Sequence, residues 1–403
     1  MKEQTKLAQT KIEIETIGGP FDRITSVLEE FEPGQPEFVV LPEEFGVQPR
    51  TVSSCPERQL EVEIPTRIHA TVLDMNRFNA GKCGGGGVGF AVKLYHRCKV
   101  RTIPEPEIHV DSKRMPLVEH FALIMKRILQ YQGGFEIELS DHERRHVGLG
   151  SSSGTICAAC VAINEALGRP FSNRELRRII GYNFCEESPT GSGYLIRAFQ
   201  TGVGAMASIH GGWVVASDDL ELVYRVPLPN TKAIILIPDV PSLKNEYNGQ
   251  STSASSEVEL LLRRARYLDT RQGYEKAFLV LLDLIPAMIK GDLEAMGKVM
   301  LDVSFIGSKR AECEQHGLYG ANVYYWLGVF KQLGAELAAM SSVGPTVVAL
   351  TRRADAYDRI MSFLKEKNVP ASRVIETEVD NVGAVIHENG VTRTFEAEGW
   401  GKI

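Results

Sequence analysis

Residues 146–154 read His-Val-Gly-Leu-Gly-Ser-Ser-Ser-Gly, which is the strongest signal in the sequence. An apolar run from Thr155 to Leu167 follows it, and Gly168 then ends the run, so we predict a buried helix there. Glycines let backbone N–H groups approach an anion closely, and a helix N-terminus adds partial positive charge. The stretch therefore predicts a phosphate-binding loop. It is not a Walker A loop, because no Lys follows the last Gly, and a loop that only caps the helix is the alternative.

Three further segments are rich in glycine and hydroxyl side chains. A glycine run covers residues 84–89, Thr-Gly-Val-Gly occupies residues 201–204, and Ser-Ser-Val-Gly-Pro-Thr occupies residues 341–346. Each one alone is also typical of an ordinary turn. Together they indicate a ligand that carries more than one phosphate group.

Charged side chains flank these segments. If residues 68–73 form a strand, Arg67, His69 and Thr71 share one face, and an Arg–His row suits an anionic ligand. A histidine with a structural role is the alternative. Glu186 and Glu187 form a carboxylate pair that could hold Mg²⁺, and a solvated surface pair is the alternative there.

Composition excludes several classes of protein. The chain has 403 residues and a net charge of −6, which disfavours non-specific nucleic-acid binding. No apolar run is long enough for a membrane span, and residues 1–12 lack the apolar core of a signal peptide, so we expect a cytoplasmic protein. Seven scattered cysteines do not form a secreted disulfide framework. We interpret Cys157 and Cys160 as packing residues, with redox or metal chemistry as the alternative.

The order of patterns predicts an α+β protein with two lobes. Strand patterns, including separate ones at residues 60–64 and 68–73, dominate the first half, and helical patterns dominate from residue 257 onward. We predict an N-terminal extension over residues 1–59, a first domain over 60–240 and a second over 241–403.

The motifs resemble those of a known family. Residues 146–154 resemble the second motif of the GHMP kinase superfamily. Arg67-Ile68-His69, Asp74-Met75-Asn76 and the segments at 86–89, 201–204 and 341–346 are similar to motifs of the β-ribofuranosylaminobenzene 5′-phosphate synthases. The resemblance covers roughly residues 60–355 and implies a GHMP-kinase-like fold. Such a fold has a ribosomal-protein-S5-like N-terminal lobe and a ferredoxin-like C-terminal lobe.

The resemblance also implies an activity. These enzymes transfer ribose 5-phosphate from 5-phosphoribosyl 1-pyrophosphate to a ring carbon of an aromatic or heteroaromatic carboxylic acid. Carbon dioxide and pyrophosphate leave, and a C-glycoside forms. 4-Hydroxybenzoate and 4-aminobenzoate are acceptors in methanopterin-type pathways, and a heteroaromatic acid is the acceptor in C-nucleoside biosynthesis. The resemblance further implies Mg²⁺ and a homodimer.

By the same resemblance, Arg67, His69 and Asp74 are the expected catalytic residues. Arg67 and His69 would contact a phosphate or the aromatic carboxylate, and Asp74 with Asn76 would orient the ribose or its metal. The expected metal ligands are Ser152 and Glu186. The remaining expected substrate-binding residues are Gly86, Gly87, Gly89, Gly148, Gly150, Ser151, Ser152, Ser153, Thr201, Gly202, Gly204, Ser341, Ser342 and Gly344.

Two other functions stay open. An ATP-dependent small-molecule kinase would explain the loop at 148–154 and Glu186, and a non-catalytic ligand sensor would keep the fold without turnover. The sequence also departs from the synthase pattern. Gly85 stands where the family often has Asp, and Ser217-Asp218-Asp219 stands where it often has Asp-Gly-Gly.

Overall fold

A computed structural model describes residues 11–17, 23–53, 57–79, 81–188, 193–238, 253–316 and 322–395. These residues contain ten α-helices and sixteen strands. The strands are β1 (Lys11–Ile17), β2 (Arg23–Phe31), β3 (Gln59–Val72), β4 (Gly87–Ile103), β5 (Ile108–Asp111), β6 (Gly134–Ser140), β7 (Cys185–Glu187), β8 (Leu195–Arg197), β9 (Trp213–Ala216), β10 (Leu222–Val226), β11 (Lys232–Leu236), β12 (Leu337–Met340), β13 (Val347–Thr351), β14 (Val374–Glu378), β15 (Val385–Glu388) and β16 (Val391–Thr394). The helices are α1 (Met115–Ile128), α2 (Ser151–Ala166), α3 (Asn173–Tyr182), α4 (Val203–His210), α5 (Ser253–Phe278), α6 (Ile285–Lys290), α7 (Leu293–Val303), α8 (Gly307–Gln315), α9 (Val323–Gln332) and α10 (Ala354–Glu366).

The strands of the described residues form three sheets. The largest has eight strands, in which the path β10-β9-β4-β3-β15-β16 is extended by β6 on β4 and by β5 on β6. A four-stranded sheet in the second half has the order β12-β13-β11-β14, and another has the order β1-β2-β8-β7. Mixed helices and sheets confirm the predicted α+β class.

The two strand patterns around Pro65 are one strand, so the prediction of separate strands is wrong. β3 runs through Pro65 and pairs with β4 along most of its length. The register shifts between Pro65 and Thr66 and again between His69 and Thr71. Proline lacks an N–H group and is tolerated in a strand at such an irregularity. Because His69 pairs with Gly89 and Thr71 pairs with the adjacent Val88, the second shift breaks the alternation of side chains between the two faces of β3. Thr71 therefore does not share the face of Arg67 and His69, and its hydroxyl donates to the carbonyl of Val72.

The two lobes share a core. One apolar cluster lies against α1 and α2, and it includes residues from the N-terminal region: Phe31, Val39, Phe45 and Val47. A second cluster joins Ile68, Phe90 and Trp213 of the large sheet to Ile235 and Val348 of the C-terminal sheet. The lobes therefore meet beside the residues that flank Arg67 and His69.

The chain crosses between lobes more than once. β11 at residues 232–236 lies in the C-terminal sheet, and β15 returns from the C-terminal half to pair with β3. The predicted boundaries near residues 60 and 240 stay predictions. Among the described residues, no helix combines the length and apolar character needed to cross a membrane.

Candidate functional site

The serines of the predicted phosphate loop are themselves the first turn of α2. The helix begins at Ser151 rather than at Thr155, and Gly150 is its N-cap residue with a φ of 63°. No side chain caps this end. The first N–H groups of a helix have no partner within the helix, so those of α2 are oriented to bind an anion.

Gly148 and Gly150 are required by both conformation and space. Their φ angles are 89° and 63°, which favour glycine. A Cβ on Gly150 would lie 2.7 Å from Arg67 Nε, and one on Gly148 would lie 2.5 Å from the carbonyl oxygen of Ser341. The loop is therefore packed between β3 and the segment at residues 341–346.

The segment at 341–346 closes the site from the C-terminal lobe. Ser341 Oγ donates to the carbonyl of Gly148 at 2.7 Å and accepts from the His69 N–H at 3.2 Å. The Ser342 N–H donates to the His69 carbonyl at 2.7 Å, and Gly344 N–H donates to the Ser341 carbonyl at 2.9 Å. Segments that the sequence predicted to act together are in direct contact.

Arg67 and Lys309 bring cationic side chains to this contact region. Arg67 Nη1 donates to the Gly148 carbonyl at 3.0 Å, and burial lowers the pKa of its guanidinium to about 10. Lys309 on α8 is 1% exposed and donates to the carbonyl of Ser342 at 2.7 Å. It also pairs with Glu312 at 3.0 Å, where burial raises the pKa of the Glu312 carboxyl.

His69 is a neutral imidazole at neutral pH. Burial, followed by the charges of Arg67 and Lys309, lowers its pKa well below the ordinary value. Its Nε2 lies 3.2 Å from Thr201 Oγ1, within hydrogen-bond distance. Gly202 is the N-cap residue of α4 with a φ of 89°, and a Cβ on Gly204 would lie 3.0 Å from Ser153 Oγ. The predicted segment at 201–204 therefore abuts both His69 and the start of α2.

The glycine run at 84–89 is a packing element. Cβ atoms on Gly86, Gly87 and Gly89 would lie 2.4–2.7 Å from carbonyl oxygens of β3 and β9. The same Cβ on Gly87 would lie 3.0 Å from His69 Nε2. The Gly85 N–H donates to Asp218 Oδ1 at 2.8 Å, so a carboxylate from a distant segment lies beside this run.

Asp74 and Asn76 lie at a turn that binds α5. Asp74 Oδ1 accepts from the Asn76 N–H at 2.9 Å, and Asn76 Nδ2 lies 3.3 Å from the carbonyl of Arg266. The buried Asn76 Oδ1 has no hydrogen-bond partner among the described residues. The catalytic role of Asp74 and the binding role of Asn76 stay predictions.

The structure adds Arg114 and Asp141, which the sequence analysis missed. Arg114 Nη2 donates to Ser152 Oγ at 2.9 Å, and Ser151 Oγ donates to Asp141 Oδ2 at 2.9 Å. Ser153 Oγ donates to the Gly150 carbonyl at 3.0 Å. Burial raises the pKa of Asp141, but the Glu143 N–H, Ser151 and nearby positive charge outweigh it and lower that pKa.

No signal in the sequence points to Arg114 or Lys309. Arg114 precedes an ordinary amphipathic helix, and Lys309 lies within a polar one. Both reach the site only through contacts between segments that are far apart along the chain.

Of the two predicted metal ligands, Ser152 lies in the first turn of α2 and Glu186 lies in β7, and their role as metal ligands stays a prediction. Ser152 Oγ accepts a hydrogen bond from Arg114, and the negative charge of Glu186 partly offsets the lowering of the Arg67 pKa by burial. Within the described ranges, no group of three or more His, Cys, Asp and Glu side chains is arranged to hold a metal ion. The described cysteines, Cys157 and Cys160 among them, are buried and free. Burial raises the pKa of the Cys157 thiol to about 12, which makes it unreactive.

Comparison with known families finds a similarity within the first lobe. The GHMP kinases N terminal domain matches residues 116–193, which include α2 and its glycine loop. The crystal structure of homoserine kinase from Cytophaga hutchinsonii superposes with a TM-score of 0.56 at 17% identity, covering 83% of this chain and 99% of the kinase. The predicted GHMP-kinase-like fold is confirmed.

Two relatives extend the similarity beyond this GHMP kinase domain. The beta-ribofuranosylphenol 5′-phosphate synthase of Archaeoglobus fulgidus is 27% identical over 359 residues, covering 81% of this chain and 99% of that enzyme. The enzyme of the same name from Methanothermobacter thermautotrophicus is 24% identical over 326 residues, covering 73% and 89%. The resemblance to this synthase group is confirmed, as is the prediction of an enzyme.

Proposed function

We propose that the chain transfers ribose 5-phosphate from 5-phosphoribosyl 1-pyrophosphate to a ring carbon of an aromatic or heteroaromatic carboxylic acid, with loss of carbon dioxide and pyrophosphate. The carrying observation is that the glycine loop leading into the uncapped start of α2 contacts the turn at 341–346, with Arg67 and Lys309 beside it. The similarity to synthases along most of the chain supports the same proposal.

The first step is departure of pyrophosphate. The bond between ribose C1 and the pyrophosphate oxygen breaks, and its electron pair leaves with the pyrophosphate. In this proposal, the backbone N–H groups at the start of α2 and the Arg67 guanidinium group stabilise that growing negative charge. Lys309, which is paired with Glu312, supports the turn at 341–346 beside them. Preorganised donors of this kind contribute most to such reactions, because they need no rearrangement as charge develops.

The second step forms the carbon–carbon bond. The ring carbon that bears the carboxylate donates an electron pair to ribose C1, and the bond to the carboxylate then breaks. That bond's electron pair restores the aromatic ring, and carbon dioxide leaves. No proton is transferred, so a neutral His69 that only orients its partners suits this chemistry.

Magnesium enters the proposal as a complex with the pyrophosphate of the donor. Mg²⁺ keeps several waters and commonly binds through substrate phosphates. The ligands of Mg²⁺ would then be water and the phosphate oxygens of the donor. The chain would contribute N–H groups and hydroxyls that bind the same phosphates.

The test is release of pyrophosphate from the donor in the presence of Mg²⁺ and one acid at a time. The panel holds 4-hydroxybenzoate, 4-aminobenzoate and pyrazole carboxylates. We expect pyrophosphate and carbon dioxide in equal amounts with at least one acid. The absence of pyrophosphate with every acid, together with ADP formation from ATP and a small alcohol, would replace the proposal with the kinase function.

A matched pair of arginine variants ties turnover to the site. Arg67→Met removes a buried donor beside Gly148 and should lower kcat/KM by about 100-fold, the effect typical of removing one preorganised donor. Arg97→Met, on β4, removes the exposed ion pair between Arg97 and Glu63 of β3 and should leave kcat/KM unchanged. Equal effects of the two substitutions would contradict the placement of the site.

We also propose a homodimer through the outer face of α5. Large apolar side chains are exposed at helical spacing along this face and the π-helical turn that continues it: Tyr267, Tyr274, Phe278, Leu281 and Leu282. Exposed apolar patches of this kind mark interaction surfaces. Phe278→Ser should convert a dimer to a monomer in light scattering, and Val391→Ser, at an exposed valine on β16, should not. A monomeric wild-type chain would refute the proposal.

The free cysteines agree with a reducing compartment, and we propose the cytoplasm. Six described cysteines are buried and unpaired, and disulfides are rare in that compartment. Fractionation of the native host, with the chain found outside the cytoplasmic fraction, would contradict this placement.

A further inference from the structure

Arg114 is a buried cation surrounded by oxygen atoms. Its side chain is 3% exposed, and its Nε donates to Glu187 Oε2 at 2.8 Å. Its Nη1 donates to Ser151 Oγ and lies 3.4 Å from Asp141 Oδ2, and its Nη2 donates to Ser152 Oγ. Two carboxylates and two hydroxyls from three segments therefore converge on one guanidinium group.

This set of oxygen atoms is the kind that a divalent cation prefers. Mg²⁺ and Mn²⁺ bind carboxylate and hydroxyl oxygens, and Ser152 is one of the residues that the sequence predicted as a metal ligand. In the structure, the guanidinium group already occupies the space between these oxygens. Arg145 Nη1 lies 3.3 Å from Glu187 Oε2 at the exposed edge, so two arginines balance the two carboxylates.

We propose that Arg114 takes the place of a protein-held divalent cation at the start of α2. It is a positioning residue that holds Ser151, Ser152, Asp141 and Glu187 together, and the free chain binds no divalent cation at this point. An ion at coordinating distance from Ser152 Oγ would face a fixed positive charge in a buried setting, where such repulsion is poorly screened.

The proposal separates two roles that one metal ion could otherwise combine. Orientation of the serine hydroxyls is built into the chain through Arg114. Neutralisation of the substrate's phosphates is left to the α2 N–H groups, to Arg67 and to any ion that arrives with the substrate. The inference concerns the free chain, so it does not depend on which reaction the enzyme performs.

Mn²⁺ titration followed by electron paramagnetic resonance tests the inference, with no donor or acceptor present. The wild-type chain should leave all Mn²⁺ free up to about 1 mM, weaker than typical protein sites for hard divalent cations. Arg114→Ala should gain one Mn²⁺ per chain with a Kd of about 0.1 mM. Adding Asp141→Asn to that variant should abolish the gained site.

Arg145→Ala is the matched control, because Arg145 also contacts Glu187 but neither serine. It should bind no more Mn²⁺ than the wild type. A wild-type chain that binds one Mn²⁺ and loses it on Ser152→Ala would overturn the inference, and so would a cooperatively melting Arg114→Ala chain that gains none. The wild-type titration decides the question even if Arg114→Ala fails to fold.

Discussion

Ser341→Ala is the substitution whose cost can be worked out most directly from the structure. Ser341 joins the two lobes through one hydroxyl group, which donates to the Gly148 carbonyl at 2.7 Å and accepts from the His69 N–H at 3.2 Å. Ser341 itself is fully buried. Alanine fits the space but removes both hydrogen bonds.

The two lost partners have different consequences. The Gly148 carbonyl still accepts from Arg67 Nη1 at 3.0 Å, so only a net hydrogen bond of about 0.5–1.5 kcal/mol is lost there. The His69 N–H lies at the register shift of β3 and is left buried without an acceptor, which costs about 1–3 kcal/mol. We expect the free energy of unfolding to fall by about 2–4 kcal/mol.

Urea denaturation measures this loss, with the fluorescence of buried Trp213 in the core shared by the lobes as the signal. Ser342→Ala is the matched control. The Ser342 side chain makes no hydrogen bond within the described part of the chain, and its backbone bond to His69 persists in the variant. A Ser341→Ala chain as stable as the Ser342→Ala chain would refute the assigned role of the hydroxyl.

Three more measurements test other buried groups of the protein. Burial lowers the pKa of three histidines to about 3: His96, His120 and His210. In the unfolded chain, a histidine binds a proton near pH 6.5, whereas these three stay neutral in the folded chain down to about pH 3. The free energy of unfolding should therefore fall as the pH drops from about 6.5 to 3, by up to about 1.4 kcal/mol per pH unit for each histidine. A urea midpoint that stays constant from pH 7 to 5 would contradict this. Lys276→Met leaves the fully buried Asp269 carboxylate without its cation and should cost about 3–5 kcal/mol in urea denaturation, whereas a loss under about 1 kcal/mol would contradict the pairing. Gly150→Ala places a Cβ in a strained backbone conformation and also against Arg67, whereas the Cβ of Gly168→Ala meets open space. Gly150→Ala should therefore lower the melting temperature more than Gly168→Ala. Equal decreases in melting temperature would show that the backbone conformation alone sets the effect.

The sequence alone predicted the parts of the site that are local. The loop at 148–154 and its helix could be recognised because their signals come from neighbouring residues. These signals are glycines at positive φ, hydroxyls at the start of a helix and an apolar run. The four-residue error in the start of α2 has a physical cause. Serines are weak helix formers within a helix but are satisfied in its first turn, where local patterns are least distinctive.

Pairings along β3 were harder to predict, because Pro65 is an ordinary sign of a strand end. Only the pairing with β4 shows that the strand continues through a register shift. In the N-terminal region, the alternation from Lys11 to Thr16 predicts a strand, and β1 covers it. The Pro-rich part that follows had no recognisable pattern, because its buried side chains find their partners on distant helices, as Phe45 does on Tyr182 of α3.

Local sequence was thus enough to predict the fold class, to mark residues 148–154 as a candidate phosphate-binding loop and to name the segments that contact it. Tertiary structure alone decided that Arg114 fills the space beside the α2 serines, that Lys309 reaches the turn at 341–346, and that His69 is held neutral. The bond from His69 to Ser341 joins residues 272 positions apart. Local periodicity carries no information on such contacts, because they arise only when segments far apart along the chain pack against each other.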